Sequence, residues 1–177
     1  MNTKVINMFG GPGSGKSRTA AYVYSKLKSL DINCELVREY VKKWAWEDIL
    51  PNKYDQLYIT GKQSKTEHML FGKVDYIITD CPLHMGVFYE QKYYGTQIVE
   101  QAVNEFIKLA ESDGIEYVNF MLRRESKYNE SGRFASEEEA RNTDIELRQY
   151  LNDINVPYVE INRNDLDVVY KTLNIEV

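Results

Sequence analysis

The sequence is poor in the residues that staple small extracellular domains. It has two cysteines in 177 residues, Cys34 and Cys81, and neither stands in a metal-spaced or C-x-x-C pattern. Two free thiols in a reducing compartment is the plain reading. Long apolar runs are lacking as well: no stretch approaches the ~18 residues of a membrane-spanning helix. The first residues, MNTKVINMFGG, lead directly into a strand pattern and a glycine loop. No signal peptide is expected, because no apolar run precedes a small-residue cleavage site. There are only four prolines, no internal repeat and no low-complexity linker. One domain spanning 1–177, cytoplasmic and without a membrane partner, is the expectation. Positive charge is not in excess, with 22 Lys and Arg against 27 Asp and Glu. Such a chain is a poor default for tight nonspecific DNA binding, although a local basic site stays open.

What the sequence does have is the substance of a core: 43% hydrophobic residues beside 28% charged ones, an ordinary globular balance. Apolar runs read as strands at Lys4 to Phe9, Cys34 to Arg38, Asp75 to Thr79, Glu116 to Leu122 and Pro157 to Ile161. Helical patterns fall between them. Ala20, Val23, Leu27 and Leu30 have 3-4-3 spacing within Ser17 to Leu30. Glu39 to about Lys73 is helical but divided by Pro51, since proline disrupts a helix interior. Leu83 to about Tyr94 is ambiguous. Thr96 to Ala110 turns Ile98, Ala102, Phe106 and Leu109 inward, and Ser136 with Glu139 makes a capping box for the next helix. Asp165 to Leu173 closes the chain as a helix. Strands alternating with helices imply an α/β fold: a five-stranded parallel sheet between two helical layers. Ligands of such sheets sit at the carboxyl ends of the strands.

GGPGSGKS, Gly10 to Ser17, matches the phosphate-loop pattern G-x-x-x-x-G-K-[ST] at every fixed position. Gly11, Gly13 and Gly15 are read as giving positive φ and close backbone approach, so that loop amides point at phosphate oxygens. Ser14 and Arg18 flank the same cradle. Lys16 brings charge to the β- and γ-phosphates, Ser17 offers a hydroxyl to Mg²⁺, and the helix that follows adds its positive end. The motif implies a three-layer P-loop NTPase fold that binds ATP and Mg²⁺. Asp80 ends the apolar strand IITD, where such folds place the carboxylate on the Mg²⁺ side. A turn cap before Pro82 is the plainer role for Asp80. His84, four residues on, is a further candidate for the cleft, with a structural role as the alternative.

Glu39 follows the second strand in VREYVKKWAWE. A kinase needs a group that accepts or orients the proton of the attacking hydroxyl, and Glu39 and Asp80 are the two candidates. Helix-start charge is the alternative for Glu39. Arg38, Tyr40, Trp44 and Trp46 crowd the same segment, and aromatics beside a charged cleft can stack on a base. Ordinary packing is the competing reading. After the fourth strand, RRESKYNESGR places Arg123, Arg124, Lys127 and Arg133 in one aperiodic stretch. The segment 123–135 reads as a lid whose arginines stabilise the transferring phosphoryl group, or else as a solvated loop paired with Glu125 and Glu130, or a nucleic-acid patch. Asn162-Arg163-Asn164-Asp165 nearly matches the guanine-reading N-K-x-D of GTPases. Arg163 replaces the lysine, and Asp80-Cys81-Pro82-Leu83 stands where D-x-x-G is required. A GTPase is disfavoured, but this strand-end loop lies within reach of a donor base.

In order, GGPGSGKS, VREYVKKWAWE, DQLYITGKQ, IITDCPL and KYNESGR followed by EEEAR give the chain a family resemblance over nearly its whole length. It resembles small P-loop kinase-like proteins of bacteriophage genomes, related to the kinase domain of nicotinamide-riboside kinase/regulator proteins. The group includes enzymes similar to 5-hydroxymethyl-deoxyuridine DNA kinases. The resemblance implies a nucleoside- and nucleotide-kinase-like fold working in an infected bacterial host. It implies ATP and Mg²⁺ on Gly13, Gly15, Lys16 and Ser17, with Asp80 as the Mg²⁺-side acid, Glu39 beside the acceptor hydroxyl and 123–133 as lid. Cys81 departs from the serine more often expected there. The acceptors it implies are, in order, hydroxymethyluracil in DNA, a free nucleoside or nucleotide, and nicotinamide riboside. A motor or switch ATPase and a nonenzymatic ATP-binding regulator are the other classes.

Overall fold

The computed structural model describes residues 2–125, 135–164 and 166–176. Its elements run β1 (Lys4–Phe9), α1 (Lys16–Ser29), β2 (Cys34–Val37), α2 (Lys42–Trp46), α3 (Asp55–His68), β3 (Tyr76–Thr79), α4 (Leu83–Tyr94), α5 (Glu100–Ser112), β4 (Glu116–Arg123), α6 (Glu137–Asp153), β5 (Val159–Asn162) and α7 (Asp167–Thr172). The five strands form one sheet in the order β2-β3-β1-β4-β5, and every pairing is parallel.

Alternation along the strands sends successive side chains to opposite faces, and both faces are covered. Ile6 and Met8 of β1 pack with Ala20, Val23 and Leu27 of α1 and Val169 and Tyr170 of α7. On the other face Phe9 and Met121 meet Met85 and Phe88 of α4 and Leu147 and Leu151 of α6. Val5 and Ile77 meet Ala110 of α5. This is the three-layer P-loop NTPase architecture that the sequence implied, with β1 central.

Strand order and register position the site. Asn7 pairs with Thr79 across β1 and β3, and Val37 pairs with Thr79 across β2 and β3. The three carboxyl ends therefore lie side by side, which brings the glycine loop, Glu39 and Asp80 to one edge.

Local signals hold where the chemistry is local. Ser136 caps α6: its hydroxyl accepts the Glu139 amide, and the Glu139 carboxylate accepts the Ser136 amide at 2.7 Å. The ambiguous stretch after Pro82 is helical throughout α4. The stretch from Glu39 to Lys73 forms two helices separated by eight residues that include Pro51.

The inward face of α5 differs from the sequence expectation. Ile98 and Leu109 are exposed, as is Ala102, while Val99, Val103 and Ala110 are buried. Glu90 of α4 is fully buried and accepts from Thr96 Oγ1 at 2.8 Å, the Ile98 amide at 2.7 Å and the Val99 amide at 3.0 Å. This carboxylate holds the segment that leads into α5, and Val99 and Val103, with Phe106 and Ile107 packed against them, make the inward face. Among the described residues, no helix is long and apolar enough to cross a membrane.

Candidate active site

The glycine loop leaves β1 and enters α1 through Gly15, which caps the helix at φ 106°. That left-handed conformation is open to glycine at little cost. Gly13 has the same character at φ 74°. Gly11 does not, and the positive φ expected there is corrected. Its requirement for glycine is steric: a Cβ would lie 2.7 Å from Asp144 Oδ1 and 2.8 Å from the Ala140 carbonyl oxygen. The Gly11 amide donates to Asp144 Oδ1 at 2.7 Å.

Lys16 reaches back over the loop, with Nζ donating to the Gly10 carbonyl at 2.6 Å and the Gly11 carbonyl at 3.1 Å. Burial draws its ammonium below the usual lysine value, while Glu39, Asp80 and Asp144 push it back up. Lysine and acids thus share one electrostatic site. Ser17 occupies the first turn of α1. Arg18 is exposed, with its guanidinium 5.4 Å from the Tyr22 ring centroid.

Asp80 is buried at the end of β3, and its Oδ1 accepts the Glu39 amide at 2.8 Å. Burial raises the proton affinity of the Glu39 carboxyl, Lys16 opposes that rise, and Asp80 adds to it. A carboxyl shifted upward in a cleft beside a lysine and a second acid is a functional-site candidate. Cys81 stays a thiol, since burial pushes it well above its ordinary value.

The aromatic segment after Glu39 folds onto α3. Tyr40 and Tyr58 share a hydroxyl-hydroxyl hydrogen bond of 2.9 Å, and Trp44 stacks on Tyr58 at 6.5 Å and 21°. Lys43 lies 4.7 Å from the Tyr40 ring centroid and Lys62 5.4 Å from that of Tyr58. Trp46 is 66% exposed and stands apart from these contacts.

The basic segment divides. Arg124 is nearly buried and donates to Asp144 Oδ2 at 2.6 Å and to the Pro12 carbonyl at 2.8 Å. Arg123 donates to Glu160 Oε2 at 2.7 Å on the exposed end of β4. Its partner Glu160 is held below the usual carboxylate range by Arg148 and Arg123. Lys127 and Arg133 lie outside the described residues.

His84 is buried, which pulls its imidazole down to about 4. It shares a hollow of 310 Å³ with Asn104, Ile107 and Lys108 of α5 and with Ile154 and Val156; no residue of the glycine loop lines it. In the loop after β5, Arg163 packs against the P-loop: its Cδ would be 3.7 Å from a Cβ on Gly15. Asp165 lies outside the described residues.

Three residues of the site escaped the sequence reading. Asp144 is one; its signal was an acid on the inward face of α6, among Ala140, Thr143, Leu147 and Leu151. Gln63 is another: its Oε1 accepts the Tyr40 amide at 3.2 Å, and its Nε2 donates to Thr79 Oγ1 at 3.4 Å. Tyr89 of α4 is the third. Burial, then the fields of Glu39, Tyr93 and Cys81, push its phenol well above the ordinary value, which marks it as a neighbour of the cleft.

The residues present fit a bound nucleotide. Ser14 Oγ and Arg163 Nε are buried polar atoms at the loop without a hydrogen-bond partner among the described residues. Among those residues, no three His, Cys, Asp or Glu side chains form a cage for a metal ion. Mg²⁺ bound with a nucleotide needs no such cage, being held by one or two protein groups together with substrate phosphates.

Comparison with known proteins agrees with this geometry. No curated protein matches the sequence. Among solved structures, deoxyadenosine kinase from M. mycoides is similar at TM-score 0.63 and 17% identity, over 96% of this chain and 98% of that one. Thymidylate kinase from Ehrlichia chaffeensis is similar at TM-score 0.62 and 14% identity, over 99% and 100%. At these identities the likeness is one of fold. A family model described as AAA domain matches residues 5–167. With its P-loop, parallel sheet and strand-end acid in place, the chain belongs to the AAA domain family.

Proposed function

We propose that the chain is an ATP- and Mg²⁺-dependent phosphotransferase whose acceptor is a hydroxyl on a nucleotide-like molecule. The observation that carries this reading is the Glu39 carboxyl. It stands where β2 meets β3, fastened by its own amide to Asp80, with its proton affinity raised inside the field of Lys16. A carboxyl there can take the proton of an attacking oxygen, that of water in an ATPase or of an acceptor in a kinase, and the aromatic cluster beside it favours the acceptor.

In this reading the amides of Gly13 and Gly15, with Ser14 and Arg18 at the flank, cradle the phosphates. Lys16 neutralises charge on the β- and γ-phosphates, and Ser17 and Asp80 would hold Mg²⁺. When bound, the ion supplies positive charge to phosphate oxygens. Glu39 accepts the proton of the acceptor hydroxyl as its oxygen bonds to the γ-phosphorus. The bond from that phosphorus to the bridging oxygen breaks, and ADP leaves. Arg133, and Arg123 once released from Glu160, are the candidates for charge on the equatorial oxygens.

The acceptor side is supported by the Tyr40, Trp44 and Tyr58 cluster and its two lysines, which offer ring faces and cations beside Glu39. Bases stack on such faces, and phosphates are drawn to such charges. Together with the phage-kinase resemblance, this ranks hydroxymethyluracil in DNA first, ahead of free nucleosides, nucleotides and nicotinamide riboside. The proposed setting is the cytoplasm of an infected bacterium, and the proposed unit is one domain over 1–177 with its lid at 123–135.

The AAA domain match favours one second reading, an ATPase switch without an acceptor. ADP formation measured with and without each acceptor separates the two. Stimulation by one acceptor supports the kinase. A rate indifferent to every acceptor in the panel supports the switch.

A further inference from the structure

Arg124 and Asp144 form a buried ion pair that grips the glycine loop from behind. Their side chains are 5% and 9% exposed, and Arg124 Nε donates to Asp144 Oδ2 at 2.6 Å. The second carboxylate oxygen accepts the Gly11 amide at 2.7 Å. One guanidinium nitrogen donates to the Pro12 carbonyl at 2.8 Å and to the Ala140 carbonyl at 3.2 Å. The loop is therefore held by both kinds of main-chain group, an amide on the carboxylate and a carbonyl on the guanidinium. The contact is close: a Cβ on Gly11 would also stand 3.3 Å from the Thr143 Cβ.

The consequence concerns direction. Gly11 lies within the motif that binds phosphate, yet its amide points at α6. Residues 11 and 12 are thus spent on the scaffold, and the loop amides that follow them are aimed by that anchorage. Buried charges are tolerated when fully paired and hydrogen-bonded, and removal of either partner strands the other.

We propose that Asp144 and Arg124 are positioning residues that set the phosphate-binding shape of the loop and reach the nucleotide only through it. The inference rests on the ATP-binding reading above. It assigns Arg124 a task different from that of a clamp on the transferring group. A clamp would act on kcat and would not need Asp144. A positioning pair acts on nucleotide affinity, and its two members act as one.

The test is titration of the full chain with a nonhydrolysable ATP analogue, for wild type, Asp144→Asn, Arg124→Lys and the double variant. Melting curves run alongside, and every titration is made at a temperature where the variant is folded. Lysine keeps the charge but loses the planar fork. Each single variant is expected to weaken binding about tenfold, the scale of a lost charged hydrogen bond. The double variant is expected to bind no worse than the weaker single, because neighbours in one network are non-additive. Gly11→Ala leaves both charges in place and displaces the loop from α6, so it should give a similar loss even where the charge variants fold poorly. Wild-type affinity in the folded variants overturns the inference, as do losses that multiply to about a hundredfold in the double variant. A lower melting temperature with unchanged affinity also overturns it, since that is the mark of a purely structural pair. Wild-type protein that fails to bind the analogue overturns the ATP reading and the inference with it.

Discussion

The main-chain amide of Glu39 donates to Asp80 Oδ1 at 2.8 Å. This bond ties the segment after β2 to the end of β3, and the Glu39 carboxyl lies within the field of Lys16. Gln63 ties the same segment from α3, through the Tyr40 amide and the Thr79 hydroxyl. The proposed acceptor side of the cleft is therefore tied to the sheet through Asp80 and Thr79.

Glu39→Gln should cut kcat by roughly a hundredfold or more, the scale of general-base catalysis, with ATP affinity little changed. The pH profile gives a second check. Burial raises the Glu39 pKa and the working form is the carboxylate, so kcat should fall as pH drops through that raised value. The acid limb should stand above the ~4.3 of an ordinary glutamate and vanish in the variant. Unchanged turnover would move the role of base to Asp80.

Lys16→Ala should cripple transfer and leave the fold intact. Among the described residues its Nζ bonds loop carbonyls, those of Gly10 and Gly11, while the helix α1 is anchored by Ala20, Val23 and Leu27. Turnover should fall by about a thousandfold, as for other removed phosphate-site charges. Circular dichroism should match wild type. A fully active variant contradicts the P-loop mechanism.

Tyr58→Ala should raise the acceptor KM by about tenfold, within the range for one lost base-stacking contact, and leave the ATP KM unchanged. Tyr58 is half exposed and touches Tyr40 and Trp44, so its removal disturbs little of the core. Equal KM values for variant and wild type would remove the aromatic cluster from the acceptor site.

Glu67 should make stability pH-dependent. It is fully buried, neither carboxylate oxygen has a partner among the described residues, and burial raises its pKa to about 8. In the unfolded chain it ionises near ~4.3. Its contribution is thus complete below about 4.3 and is lost as pH rises toward about 8, at roughly 1.4 kcal/mol per pH unit. Glu67→Gln should flatten that decline. Melting temperatures across pH 5 to 8, about the window just named, decide it, and parallel curves for the two proteins would contradict the assignment.

Glu90→Ala should destabilise the fold by about 2 kcal/mol or more, because three donors, the buried Val99 amide among them, lose their charged acceptor. Denaturant unfolding measures this. A loss below about 1 kcal/mol would mean that water replaces the carboxylate at the start of α5.

Much of this was legible in the sequence. Strand-helix alternation, GGPGSGKS and the acid after IIT carry their meaning in neighbouring residues, and the fold places them as that pattern implies. Contacts between distant segments were not legible. Asp144 lies 133 residues from Gly11, in a stretch rich in acids, and only its place on the apolar stripe of α6 set it apart. The inward face of α5 was misplaced at Ile98, Ala102 and Leu109 because apolar residues stand on both sides of the stripe, and the Glu90 carboxylate that holds the entry to α5 lies on another helix. Arg123 and Arg124 are adjacent in sequence, yet strand alternation sends one to Glu160 and the other to Asp144. Spacing alone could not divide them.

The most direct measurement is the fate of label from γ-labelled ATP incubated with Mg²⁺, the protein and an acceptor panel. The panel holds hydroxymethyluracil DNA, ordinary DNA, nucleosides, nucleotides and nicotinamide riboside. Label should appear on an acceptor hydroxyl, on the modified DNA before the others, and should be lost in Lys16→Ala and Glu39→Gln. Label released only as free phosphate, at a rate indifferent to every acceptor and to Glu39→Gln, would contradict the account.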